Sequence, residues 1–159
     1  MIKVKNIHKS FDGSLVLNGI DARFELGKTN LIIGQSGSGK TVLLKCLLGL
    51  HTPEKGKIFF DKHSLTDMKE KERRLLRQEM GIVFQGSALF DSMNVEENIM
   101  FPMKMFTNKN IDEMLHRANE VIDRVNLKNS NKKMPSELSG GMQKRVAIAR
   151  AIVMNPKFL

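Results

Sequence analysis

An α/β fold is expected from three features of the 159-residue sequence. Apolar and polar residues alternate through the first third in a strand-like pattern. An apolar run then enters a glycine-rich loop and leaves it as a helix, and the second half holds long stretches of helical spacing. A chain of this length buries a sizeable core. With 41% hydrophobic and 27% charged residues it has the balance of a globular domain, not of a disordered or collagen-like chain.

Ile2, Val4 and Ile7 open the first strand, and Ser14–Asp21, Ala22–Leu26 and Lys57–Asp61 are expected as further short strands, making an antiparallel, strand-rich N-terminal part. Gly27-Lys28 turns the chain into Leu31-Ile32-Ile33, a predicted strand of a parallel core. Leu43, Leu44, Leu47 and Leu48 mark the buried side of the next helix, closed by Gly49. A partial apolar stripe (Leu65, Met68, Leu75, Leu76, Met80) runs along the charged stretch Lys69–Arg77, and Gly81–Phe84 is predicted as another short buried strand ending at Gln85. Asn94 with Glu97 forms a cap pair for a helix that Pro102 should end or kink. Ile111, Met114, Leu115, Ala118, Val121, Ile122 and Val125 hold helical spacing closely. Pro135-Ser136-Glu137 breaks the chain before a helix over Met142–Met154, stopped by Asn155-Pro156.

No apolar run reaches the roughly 18 residues that cross a bilayer, and the opening MIKVKNIHKSF lacks the apolar stretch of a signal peptide, so the chain is expected to stay where it is made. Cys46 is the single cysteine, which excludes an internal disulfide or a cysteine-rich zinc site and fits a reducing cytoplasm. A net charge of +9 points to phosphate-bearing partners: nucleotides, nucleic acids or anionic lipid surfaces. The absence of Trp and Tyr argues against a single-strand-binding protein, which interleaves basic grooves with stacking aromatics.

Gly34-Gln35-Ser36-Gly37-Ser38-Gly39-Lys40-Thr41 fits the pattern G-x-x-x-x-G-K-[ST] of a phosphate-binding loop, and it lies between a predicted strand and a helix, as that loop requires. Glycines let successive backbone N–H groups turn inward on phosphate oxygens, and the following helix, starting with Lys40, Thr41 and Val42, places its positive end at the same point. In this reading Lys40 meets the β- and γ-phosphates and the Thr41 hydroxyl sits on Mg²⁺.

The second motif is Leu138-Ser139-Gly140-Gly141-Met142-Gln143, followed by Lys144-Arg145 and Ala147-Ile148-Ala149-Arg150-Ala151. Ser139 and two glycines at a helix start present a hydroxyl and bare N–H groups to an anion. Together with the phosphate loop, this segment resembles the signature sequence of ABC-type ATPases. The resemblance implies a P-loop nucleoside triphosphatase fold with an antiparallel N-terminal part and a helical subdomain. It also implies ATP and Mg²⁺ as ligands, a second ATPase subunit in a head-to-tail dimer, and transmembrane permease subunits as partners. ATP held by one subunit would be closed over by Ser139, Gly140, Gly141 and Gln143 of the other. Gln85 matches the glutamine that in this family touches Mg²⁺ and the attacking water, which with Lys40 makes the catalytic set. Phe11, with Val16 beneath it, matches the aromatic that stacks on adenine, where Tyr is more usual. The four histidines match no family position and read as surface or packing residues.

On the same resemblance, residues 1–85 form the nucleotide-binding core, 86–153 the helical subdomain and 154–159 the start of an apolar strand. In the family that strand ends in Asp-Glu, and these acids, with the switch histidine, have no counterpart here. The chain is therefore expected to be a fragment or a truncated product that leaves sheet edge exposed and hydrolyses ATP only at background. The segment Gln85–Asn98, ending near Phe101-Pro102, resembles lipid-transport ATPases of the Mla or MCE type. Leu89, Phe90, Met93, Met100, Phe101 and Met103 are more apolar than a solvated loop requires; some are expected to be helical-subdomain core, and the surface beside Gln85 is expected to form a groove for a permease helix. The implied place is cytoplasmic, peripheral at the inner face of the cell membrane. The alternatives are a non-transport ATPase of this type acting on DNA or ribosomes and a catalytically dead interaction fragment; no nucleic acid partner is expected.

Overall fold

A computed structural model describes all residues, Met1–Leu159, and they divide into two compact units, Met1–Leu75 and Leu76–Leu159. The first unit is built on a four-stranded antiparallel sheet of order β2-β1-β3-β4, comprising β1 (Ile2–Phe11), β2 (Ser14–Phe24), β3 (Lys55–Phe60) and β4 (His63–Ser64). Asp12-Gly13 joins β1 to β2, and positive φ at both residues (48° and 77°) gives the turn whose twist matches the strands it connects. Beyond it β2 runs unbroken to Phe24, where the sequence suggested two strands; pairing with β1 through register shifts carries it past Gly19. Val4, Ile7, Leu17, Ile58 and Phe60 are buried, as are Leu43, Cys46 and Leu47 of helix α1 (Lys40–Leu47).

Leu31–Ile33 does not form the predicted strand. Leu31 and Ile33 are about four-fifths exposed, at 82% and 81%. A strand exists only where a neighbour takes its backbone hydrogen bonds, and no segment of residues 1–159 pairs with this one. Gly81–Phe84 likewise forms no strand, with Val83 and Phe84 exposed. The one parallel contact is an isolated bridge between Met80 and Phe158, with the Gly81 amide donating to the Phe158 carbonyl at 2.8 Å. The expected parallel core is thus not formed. Helix α2 (Glu70–Gln78) buries no residue, and Leu75 on its predicted stripe is exposed.

The second unit packs three helices, α3 (Val95–Phe106), α4 (Ile111–Arg124) and α5 (Gly140–Ile152), around Ile99, Met103, Ala118, Val121, Val146 and Ala149. Asn94 and Glu97 form the expected capping box, and Asn110 with Glu113 forms a second at the head of α4. Pro102 does not end α3, which continues to Phe106. Buried Met100 and Met103 hold the helix on both sides of the proline, and the Thr107 amide and hydroxyl close it on the Met103 carbonyl. These two methionines are therefore core and not part of an exposed groove. The C-terminal end of α5 is closed by Arg117 of α4, whose guanidinium donates to the Val153 carbonyl at 3.0 Å and the Ile152 carbonyl at 3.4 Å.

Asn98, fully buried on α3, organises the loop before that helix. Its Nδ2 donates to the carbonyls of Phe90, Met93 and Asn94, and its Oδ1 accepts the Phe90 amide at 2.9 Å. No apolar residue supplies these bonds. Asn98→Leu is expected to leave buried backbone groups unpaired and lower unfolding free energy by at least about 1–3 kcal/mol, read as a reduced urea midpoint; an unchanged midpoint would remove this role from Asn98.

Candidate functional site

The phosphate loop lies wholly in the first unit. Gly39 is buried at φ 89°, and a Cβ there would stand 2.9 Å from a Leu17 methyl and 3.1 Å from the Val16 carbonyl oxygen, so only glycine lets the helix start approach β2 this closely. That approach sets Val16 directly beside the loop. The Lys40 ammonium folds back over the loop and donates to the carbonyls of Gly34 at 2.9 Å and Gln35 at 2.7 Å, while the Ser38 amide closes a turn on Gln35. A cation is thereby fixed beside the first N–H groups of α1, which have no intrahelical acceptors. Gln35, Ser36, Gly37, Ser38 and Thr41 are exposed, and Val42 is half-buried.

Phe11 ends β1 at the same hairpin, 38% exposed. Its ring meets His51 edge-on at 5.2 Å between centroids, and the Lys9 ammonium lies 5.1 Å from its centroid. Glu54 ties this corner down: one carboxylate oxygen accepts from Lys9 at 2.5 Å, the other from the Ser10 amide at 2.9 Å, and its own amide donates to the His8 carbonyl. The Lys9 hydrogen bond holds the Glu54 carboxyl below the usual carboxylate range, with the Ser10 amide acting in the same direction.

The signature segment and Gln85 lie in the second unit. Ser139, Gly140 and Gly141 are exposed at the start of α5, where the Ser139 hydroxyl accepts the Met142 amide at 3.3 Å. Gln143 turns inward, its Nε2 donating to the carbonyls of Pro135 at 3.0 Å and Leu138 at 3.4 Å, so it shapes the turn that presents Ser139. Gln85 is exposed, and Gly86, Ser87, Ala88, Leu89, Asp91 and Gln143 are among the residues lining a cavity of about 500 Å³. Arg150 holds this loop. Its guanidinium donates at 2.8 Å to each of the consecutive carbonyls of Ser87 and Ala88, both at positive φ, and lies over the Phe90 ring; burial lowers its pKa.

The helix starts differ in charge. α2, α3 and α4 each carry two acids in the first turn, Glu70 and Glu72, Glu96 and Glu97, Asp112 and Glu113. α1 and α5 carry none. The two helices that begin in the glycine motifs therefore leave their positive ends open to an external anion. For a metal, Thr41 offers a hydroxyl on the loop, and no group of three or more His, Cys, Asp or Glu is assembled anywhere.

Sequence reasoning located both glycine motifs but not the side chains that hold the segments around them. Arg150 on the Ser87–Ala88 loop, the Lys9–Glu54 pair and the Phe11–His51 contact link residues distant in the chain, and Asn98, though its partners lie within eight positions, acts on main-chain atoms that no residue pattern marks.

The ABC transporter family model matches residues 17–159. The chain is 38% identical to the methionine import ATP-binding protein MetN of Campylobacter jejuni, covering all of this chain and 52% of that protein. It is 38% identical to the probable ribonucleotide transport ATP-binding protein mkl of Mycobacterium leprae, covering 99% and 46%, and 38% identical to the L-cystine import ATP-binding protein TcyC of Bacillus subtilis, covering 100% and 66%. Among solved structures it resembles the dimeric, post-hydrolysis ATP-binding cassette MJ0796 bound to ADP and Pi, with a TM-score of 0.88 and 30% identity over 98% of this chain and 71% of that one. cbiO1 from Clostridium perfringens, part of the transporter complex cbiONQ, gives 0.87 and 32% over 98% and 62%. The chain belongs to the ABC transporter family and carries its ATP-binding domain fold. It spans about half the length of the MetN and mkl relatives.

The Glu54 tie gives a pH signature. Its carboxyl pKa is lower in the folded chain than in the unfolded one, so the tie stabilises fully above a pH of about 4.3 and is lost as pH falls through the folded value. An NMR titration should place the Glu54 midpoint below that of a model Glu, and Glu54→Gln should flatten this part of the acid-stability profile. A midpoint at or above the ordinary value would refute the tie.

Proposed function

We propose that this chain binds ATP at Gly34–Thr41 and that the complete protein hydrolyses it to drive a membrane transporter. The observation that carries this reading is the Lys40 ammonium held over the loop at the start of a helix free of acids. Bound triphosphate would replace the two neutral carbonyls with anionic oxygens, giving stronger charge-assisted bonds. Phe11 and Val16 would receive the adenine. Thr41 would hold Mg²⁺, which supplies charge neutralisation at the phosphates when bound.

A head-to-tail dimer is the second part of the proposal. Ser139, Gly140 and Gly141, exposed on an acid-free helix start, suit the γ-phosphate of ATP held by a second subunit, and the MJ0796 structure is itself dimeric. A nucleotide shared this way favours the closed pair, and its hydrolysis releases it. The cavity beside Gln85 would take a short helix of a permease, with Leu89 and Pro135 as its apolar contacts. Such contacts would hold the protein peripherally at the inner face of the membrane. The relatives named above bear methionine, cystine and ribonucleotide in their names; a phospholipid cargo rests on the Gln85–Pro102 segment alone.

Two measurements test the reading. Calorimetry should show ATP affinity at least about tenfold lower in Lys40→Ala, as expected for loss of a charge-assisted contact, and equal affinity would end the assignment of the loop. In a hydrolysis-deficient background, Ser139→Arg should retain ATP binding yet elute as a monomer with ATP; persisting dimers would show that Ser139 does not close the site in trans.

A further inference from the structure

We propose that His51 is a positioning residue for the nucleotide base, holding Phe11 at a fixed place relative to the phosphate loop. The inference rests on the reading of Gly34–Thr41 as an ATP site and adds a determinant of base recognition to it.

α1 links the two ends of that site. Its first residues are Lys40 and Thr41, and at its other end the Lys45 carbonyl accepts the amides of both Leu50 and His51, at 2.9 and 3.2 Å. His51 is thus anchored to the helix that carries the phosphate-binding lysine. Three residues on, Glu54 locks the segment to β1 through Lys9, Ser10 and His8. Between these anchors the imidazole meets the Phe11 ring at 69° between planes.

Phe11 has no hydroxyl, so no hydrogen bond of its own can fix the ring, and its place at a hairpin end leaves it substantially exposed. A free ring there would sample several rotamers and lose that freedom on stacking with a base. The edge-on imidazole and the Lys9 ammonium restrict it beforehand, and an aromatic pair of this geometry is worth enough to hold one rotamer. Base stacking then begins from an ordered platform. The phosphates are held elsewhere, by the loop, so loss of His51 should weaken base recognition and spare phosphate recognition.

The test compares ATP with inorganic tripolyphosphate, which has the phosphates without the base, by calorimetry on the same protein. His51→Ala should weaken ATP about 3- to 10-fold and leave tripolyphosphate unchanged, while His51→Phe, which restores an aromatic edge, should return ATP to near the parent value. Phe11→Ala should behave like His51→Ala, and Lys40→Ala should weaken both ligands. Unchanged ATP affinity in His51→Ala beside a weakened Phe11→Ala would overturn the role of His51 alone. Equal loss of both ligands in His51→Ala, without rescue by His51→Phe, would also overturn it, marking His51 as structural. Unchanged binding of both ligands in Lys40→Ala would overturn the ATP reading itself and this inference with it.

Discussion

Backbone amides and carbonyls taken out of water must find partners, and this constraint decides most of what the chain does and does not form. Where a neighbouring strand is available, as for β1 between β2 and β3, the sheet forms. Where none is, Leu31–Ile33 and Gly81–Phe84 stay irregular despite sequences rich in β-formers, their apolar side chains largely open to solvent. In the second unit side chains take over the task. Asn98 pairs the loop before α3, Arg150 the loop after Gln85, Gln143 the turn before Ser139, and Arg117 the end of α5. Each of these is a long or branched polar side chain directed at main-chain atoms, so the irregular segments around the candidate site are specified rather than loose.

The sequence was legible where a local pattern carries the physics. The phosphate loop, the signature turn, the Asn94–Glu97 box and the α4 stripe depend on residues within a few positions of one another. Most of the α4 stripe is buried as read, though Ile111 remains exposed at its start. Legibility failed where the answer depends on a distant partner. The apolar run Leu31-Ile32-Ile33 has the composition of a buried strand, yet composition cannot show whether a neighbour exists. Pro102 shows the converse: of the end or kink that the local rule predicts, the end does not occur, and α3 runs on to Phe106 with Met100 and Met103 buried on either side. His51 shows the same limit, since Phe11 lies too far away in sequence to suggest that the imidazole packs against the hairpin.

The helix starts show a tension between stability and binding. A capping box with an acid at its third position satisfies the first N–H groups of a helix and complements its dipole, and α3 and α4 take that solution. The same acid would fill and repel the place an external phosphate must occupy. α1 begins without any side-chain cap, and α5 has Ser139 capping but Met142 where a box would place Glu. Both starts are thus less self-satisfied than the chain's own alternatives, and both fall in glycine motifs, where backbone can approach a ligand closely. A helix start held only by Lys40 bent onto its own loop, or by one serine hydroxyl, leaves more of its first N–H groups without a side-chain partner than the boxed starts of α3 and α4 do.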